Sequence, residues 1–246
     1  MRKQVIFLMT DTTRKDMVGC YGYPKMKTPI DRLAEEGIRY ENAYTCQPVC
    51  GPARSAIFTG TFPHTNGMVT NSIALGDNVK TIGQRLYDHG IQCGYIGKWH
   101  LDGSDYFGNG RCPEGWDPEY WYDMKTYLNE LTDEEKVKSR NPKECYKDDF
   151  SEEFTYAHRC SNRAIKYLEK HQNNDFFLSV SYDEPHGPSL ARNLIIICMM
   201  DLNLIVVLIF GMIFLKNHLC KDFGLVRIYM QQKMKLIDRQ MDYHCF

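Results

Sequence analysis

A thiol, a proline and a guanidinium stand close together at Cys50-Gly51-Pro52-Ala53-Arg54, followed by Ser55-Ala56-Ile57-Phe58-Thr59-Gly60. The form is C-x-P-x-R-x-x-x-x-T-G. Pro52 suits the first turn of a helix, where a missing N–H costs nothing. Residues four apart share a helix face, so Cys50 and Arg54 would point together. The unpaired N–H groups of a helix start favour an anion. The stretch therefore reads as a nucleophile candidate beside an anion cradle. Taken alone, it also reads as a buried cysteine near a surface arginine. Three other places carry chemistry. Asp11 follows the apolar run Val5 to Met9, where an unpaired carboxylate is expensive and a cation partner is expected; a turn or helix cap is the plain alternative. Lys98 and His100 flank Trp99 and offer two cationic donors for a charge that develops during a reaction. His186 sits between two prolines in Glu184-Pro185-His186-Gly187-Pro188. Cys46, His64 and Asn71 are left without a role.

The elements that must position these residues follow from pattern. Val5 to Met9 is short and apolar on both faces, which suits a central parallel strand. Thr28 and Pro29 open a helix that Gly37 closes. Ile38 to Tyr44 reads as a strand entering the Cys50 loop. Thr81 caps a helix through Tyr87, stopped near Gly90, and Gln92 to Ile96 reads as a strand ending at Lys98. Tyr106 to Lys147 is aromatic, charged and interrupted by Gly and Pro, and reads as a long insertion with little regular structure. Ser151 to His171 reads as a helix with Phe154, Ala157, Ala164, Ile165 and Leu168 available for its buried stripe. Phe176 to Val180 reads as a buried strand. Alternating strands and helices predict a doubly wound α/β fold with a mostly parallel sheet. Such sheets bind ligands at the carboxyl ends of their strands, and Asp11, Lys98 and His186 each closely follow a predicted strand.

Four motifs in this order resemble the type I sulfatases of the alkaline phosphatase superfamily: the Cys50 signature, Gly94-Tyr95-Ile96-Gly97-Lys98-Trp99-His100, Asp11-Thr12-Thr13-Arg14, and Pro185-His186. The resemblance runs from about Lys3 to Pro188. It implies an alkaline-phosphatase-like fold, incomplete at the C-terminal end, and hydrolysis of sulfate esters. It implies that Cys50 is oxidised to formylglycine (3-oxoalanine) by a maturation enzyme, that Arg54 steadies it, and that Lys98, His100 and His186 meet the nucleophile or the sulfate. It implies a divalent cation, calcium with magnesium or manganese as alternatives, held by Asp11 and the modified Cys50. Thr12 stands where many members carry a second aspartate ligand. The implied substrate is a sulfated small molecule or sugar. A phosphoester or phosphonate hydrolase of the same superfamily, and an inactive fragment, are the alternative readings.

The 246 residues suffice for one sizeable domain. A hydrophobic content of 43% and a charged content of 25% are ordinary for a globular protein. A formal net charge of −1 and the lack of a basic patch argue against nucleic acid as a partner. Ten cysteines, scattered and without C-x-x-C pairs, together with no recognisable leader, suggest reduced thiols and a cytoplasmic protein. The tail departs from this character. Leu194 to Leu215 is almost wholly apolar, interrupted by Asp201, Asn203 and Gly211, in a chain of mean hydropathy −0.46. Residues 1–190 are therefore expected to form the N-terminal part of a catalytic domain, and 191–246 an atypical tail. A frameshift is the first account of the tail, a membrane segment over 194–215 the second, and a buried helical pair the third.

Overall fold

The computed structural model describes residues 3–22, 28–103, 107–140 and 151–187, and the backbone of 206–209, 212–215 and 218–220. They belong to two compact units. The first is built from Met1–Asp11, Asn42–Thr132 and Glu153–Asp183, and the second from Thr12–Glu41, Asp133–Glu152 and Glu184–Phe246.

The first unit contains a three-stranded parallel sheet. Its strands are β1 (Gln4–Thr10), β2 (Gln92–Gly97) and β3 (Phe176–Tyr182), in the order β1-β3-β2. Five helices belong to this unit: α2 (Cys50–Thr59), α3 (Pro63–Asn66), α4 (Ile82–Tyr87), α5 (Met124–Asn129) and α7 (Tyr156–His171). Two more, α1 (Pro29–Glu36) and α6 (Asp133–Arg140), belong to the second unit. Parallel strands cannot be joined by a hairpin, and α7 packs against both β2 and β3. The registers put Gln4 and Gln92 opposite Phe176, and Thr10 and Gly97 opposite Tyr182 and Ser181. All three strands therefore end together, and the residues that follow them, Asp11, Lys98 and Asp183, leave the sheet at one edge.

The central place belongs to β3, whose residues from Phe176 to Ser181 are all buried. β1, expected at the centre, has a paired neighbour on one side only among the described strands. Phe7 and Met9 pack onto the core from one face, while Ile6 and Leu8, on the other, are 48% and 55% exposed. The core is aromatic. Phe58, Tyr95, Trp99, Trp116, Trp121 and Phe177 meet in one cluster. Most of its close ring pairs are edge-to-face, as between Tyr95 and Trp99 at 4.8 Å, the arrangement that opposed ring quadrupoles favour.

The helix α7 buries Tyr156, Cys160, Ala164, Tyr167 and His171, at helical spacing. Ile165, expected in that stripe, is 52% exposed. The tyrosines prevail because each fills more core and its hydroxyl reaches a backbone carbonyl: Tyr156 donates to Tyr122 O at 3.0 Å and Tyr167 to Gln92 O at 3.3 Å. Gly94 makes room for this, since a Cβ there would meet the Tyr167 ring at 2.5 Å.

Two other expectations are corrected. Ile38 to Tyr44 is not a strand. The carbonyls of Tyr40 and Glu41 accept from the side chains of Tyr21 and Lys15 instead of a neighbouring strand. The region from 106 to 147 contains α5 and α6, each with its own start signal. Asp123 caps α5 by accepting from Thr126 N at 2.8 Å, and α6 carries Asp133, Glu134 and Glu135 in its first turn and Lys138 and Arg140 in its last, matching the helix dipole. In the tail, the described backbone is extended: β4 (Val206–Ile209), β5 (Met212–Leu215) and β6 (His218–Cys220) form an antiparallel sheet. Over these stretches it is neither a membrane helix nor a helical pair, and the rest of 191–246 lies outside the described residues. Among the described residues no helix is long and apolar enough to cross a membrane.

Candidate active site

The chain brings Asp11, Cys50, Arg54 and Lys98 together at the carboxyl edge of the parallel sheet. Two backbone bonds to β3 set the frame: Asp11 N donates to Tyr182 O at 3.2 Å and Lys98 N to Ser181 O at 2.8 Å. Gly97 permits the second. It has φ +106°, and a Cβ there would lie 2.0 Å from Ser181 O, so only glycine lets β2 approach this closely. Cys50 is the first residue of α2, and the next amide, Gly51 N, is held by Asn71 Oδ1 at 2.8 Å.

The charges close on one another. The Lys98 ammonium lies 2.7 Å from Asp11 Oδ2 and 3.0 Å from Asp183 Oδ1. Arg54 Nη2 lies 3.4 Å from Asp11 Oδ2, and Cys50 Sγ donates to Asp11 Oδ1 at 3.6 Å. Both cations are buried, Arg54 to 3% exposure and Lys98 to 1%. Arg54 is fixed further by Nη1, which donates to Lys98 O at 2.7 Å and Ser181 Oγ at 2.8 Å. Tyr95 donates to the same Lys98 carbonyl at 2.5 Å. Burial pushes its phenol up to about 12, so it stays a donor. Burial also pushes the Cys50 thiol up; Lys98 and Arg54 pull it down, and the charge and hydrogen bond of Asp11 add to the rise. The thiol is therefore protonated near neutral pH and is a poor nucleophile as it stands.

His100 is buried two residues beyond Lys98, with φ 56°, a left-handed conformation that a non-glycine residue adopts at a cost. Thr12 and His186 belong to the second unit. Thr12 has φ 62°, and His186 Nδ1 lies 3.0 Å from Gly187 O.

Asp183 is the functional candidate that sequence reasoning missed. Its signal was the one that singled out Asp11, a carboxylate directly after a buried strand, but it lies hidden beside Glu184 and His186. In this structure Lys98 and Arg54 are cations that meet Asp11. Among the described residues no three His, Cys, Asp or Glu side chains form a metal cage. Asp11 and Cys50 alone do not make one for a hard divalent cation, which takes about six or more oxygens.

A parallel sheet flanked by helices, with two buried cations and two carboxylates at its carboxyl edge, defines an α/β protein. The sulfatase family profile matches residues 3–194, and the chain belongs to that family. It is 49% identical over 194 residues to the uncharacterized sulfatase YidJ of Escherichia coli K12, covering 76% of this chain and 39% of that protein. It is 38% identical over 133 residues to an N-acetylglucosamine-6-O-sulfatase of Bacteroides thetaiotaomicron, covering 50% of this chain and 24% of that one. The chain thus spans roughly two fifths or less of these relatives. A structure solved with its substrate D-glucosamine-2-N,6-O-disulfate superposes with a TM-score of 0.56 at 28% identity, over 76% of this chain and 35% of that one. The phosphonate monoester hydrolase of Agrobacterium radiobacter shares the fold, with a TM-score of 0.60 at 21% identity over 77% and 42% of the two chains.

Proposed function

We propose that this chain supplies the nucleophile and anion-holding part of a sulfatase active site, with Cys50 matured to formylglycine and a sulfated sugar as substrate. The observation that carries this is the placement of Cys50. It opens α2, and its Sγ lies 3.6 Å from the Asp11 carboxylate that Arg54 and Lys98 also approach. A protonated, half-buried thiol that donates to a carboxylate has little use as a nucleophile itself. Formylglycine supplies, once hydrated, a hydroxyl oxygen that can attack the sulfate sulfur.

The chain's own residues do the rest. Arg54 and Lys98 hold the negative charge of the sulfate and of the transition state, already oriented and desolvated. Asp11 keeps both cations in place and can accept the proton of the attacking hydroxyl. His100, with Lys98, stands to protonate the departing sugar oxygen. The net reaction takes one water and releases the alcohol and sulfate. The sugar preference rests on the N-acetylglucosamine-6-O-sulfatase relative and on the glucosamine disulfate complex.

The test begins with mass spectrometry of the Cys50 peptide after co-expression with a formylglycine-generating enzyme. The peptide is expected to be lighter than its cysteine form. Turnover of a sulfated glucosamine is then compared in two variants. Cys50→Ala is expected to abolish it and Cys46→Ala to leave it nearly unchanged. A Cys50 that stays a thiol, or equal losses from both variants with folding intact, would remove Cys50 from the role.

A further inference from the structure

A cavity of about 530 Å³ opens on the side of Trp99 within the first unit, in the range of ligand clefts, roughly 300–1,000 Å³. Lys98 belongs to the cluster described above, while the indole next to it in the chain helps line this second space. From this cavity we infer a separate binding site for a neutral saccharide unit. The inference rests on the cavity itself and does not depend on the sulfatase reading.

The cavity is a built one. Gly103, at φ +69°, presses against Ala74, and a Cβ there would lie 2.3 Å from Ala74 N. Gly115, at φ +89°, presses against Gln84 in the same way, again at 2.3 Å from the backbone nitrogen. Between these contacts Leu75 N donates to Leu101 O at 2.9 Å, and Asn109 N donates to Asp102 Oδ2 at 2.9 Å. The walls are thus joined by backbone contacts that flexible side chains cannot relax.

Part of the lining is apolar: Leu75, Leu101 and Trp99, whose ring also packs against Phe58, Tyr95, Trp116 and Trp121. The walls carry three carboxylates, Asp77, Asp102 and Glu114, against two cations, Lys80 and Arg111. Lys80 is already paired with Asp88 at 2.6 Å. A sulfate or phosphate group would meet more negative than positive charge there. No metal cage exists among the described residues. A sugar ring satisfies both kinds of lining: its C–H face lies on the leucines and the indole, its hydroxyls donate to carboxylates that accept in pairs, and they accept from Arg111.

The experiment is a titration of the full chain labelled with 5-fluorotryptophan, which has only three tryptophans to resolve. The probes are N-acetylglucosamine, glucose, N,N′-diacetylchitobiose and cellobiose. At least one is expected to shift the Trp99 signal saturably. Asp77→Ala and Glu114→Ala, both at exposed positions, are expected to weaken that binding roughly fivefold or more, with circular dichroism unchanged. The shift is expected to persist in Cys50→Ala. No saturable shift with any of the four sugars overturns the proposal. So does equal affinity in both carboxylate variants, or an equal response to inorganic sulfate or free lysine. Loss of the shift in Cys50→Ala would place the sugar in the sulfate cleft and overturn it too.

Discussion

Lys98 and Asp11 meet at 2.7 Å, and this one contact ties the residue after β2 to the residue after β1 across the end of β3. Because Asp183, the residue after β3, is held by the same ammonium at 3.0 Å, all three strand ends share a single cation. Removing it takes a buried cation from Asp183 and leaves Asp11 with the more distant Arg54 at 3.4 Å. Lys98→Met is therefore expected to lower stability by about 3–5 kcal/mol, measured by denaturant unfolding. A loss below about 1 kcal/mol would mean that the two carboxylates are not charged in the folded protein.

Gly97 and Gly60 both have positive φ, but only one is crowded. Gly97→Ala adds a methyl 2.0 Å from Ser181 O, whereas Gly60 at φ +71° has nothing within 4 Å. Gly60→Ala should cost about 1–2 kcal/mol from the backbone alone. Gly97→Ala should cost about 3 kcal/mol or more, because strain and overlap add. Parallel unfolding curves check the difference, and equal losses would contradict the close approach of β2 to β3.

Asn71 reaches across to the first turn of α2. In Asn71→Ala the Gly51 amide loses its acceptor, at an expected cost of about 1–2 kcal/mol. Asn71→Asp keeps an acceptor oxygen and should recover most of it. Thermal unfolding of the two variants side by side measures this.

Glu130 gives the acid side of the stability profile. Burial alone would raise its pKa, but hydrogen bonds from Tyr122, Arg159 and Arg163 outweigh burial and lower it below its ordinary value of 4.5. Arg163 also covers the Tyr122 ring at 4.0 Å. A carboxyl with a depressed folded pKa stabilises the protein above its unfolded pKa, and that contribution is lost as pH falls through the folded value. Below pH 4.5, the melting temperature of the natural chain should therefore fall more steeply than that of Glu130→Gln. Matching slopes would mean that the Glu130 network does not persist in solution.

The parts of the fold legible in sequence are those set by neighbours in the chain. The apolar runs of β1, β2 and β3 are visible as such, and so are the Thr81 start of α4 and the i,i+4 relation of Cys50 and Arg54. Each depends only on residues a few positions away. Strand order does not. Val5 to Met9 and Phe176 to Val180 are both short and apolar, and nothing in either states that β3 is the middle strand. Ile38 to Tyr44 alternates like a strand, yet its backbone is satisfied by the distant side chains of Tyr21 and Lys15. The start signals of α5 and α6 were present, but the aromatic and charged residues around them obscured the period. Asp183 escaped because its role comes from Lys98, 85 residues earlier in the chain.

The pairing of β1 has a consequence in time. The bond from Lys3 N to Asp175 Oδ1 closes a separation of 172 residues, and every partner of β1 in the sheet lies in β3. A ribosome adding about 5–20 residues per second needs roughly ten to thirty seconds to cover that distance. During that interval Val5, Ile6, Phe7, Leu8 and Met9 are outside the tunnel with no strand to join. This apolar segment thus waits longest for its sheet partner, which makes it the natural place for a chaperone to bind the nascent chain.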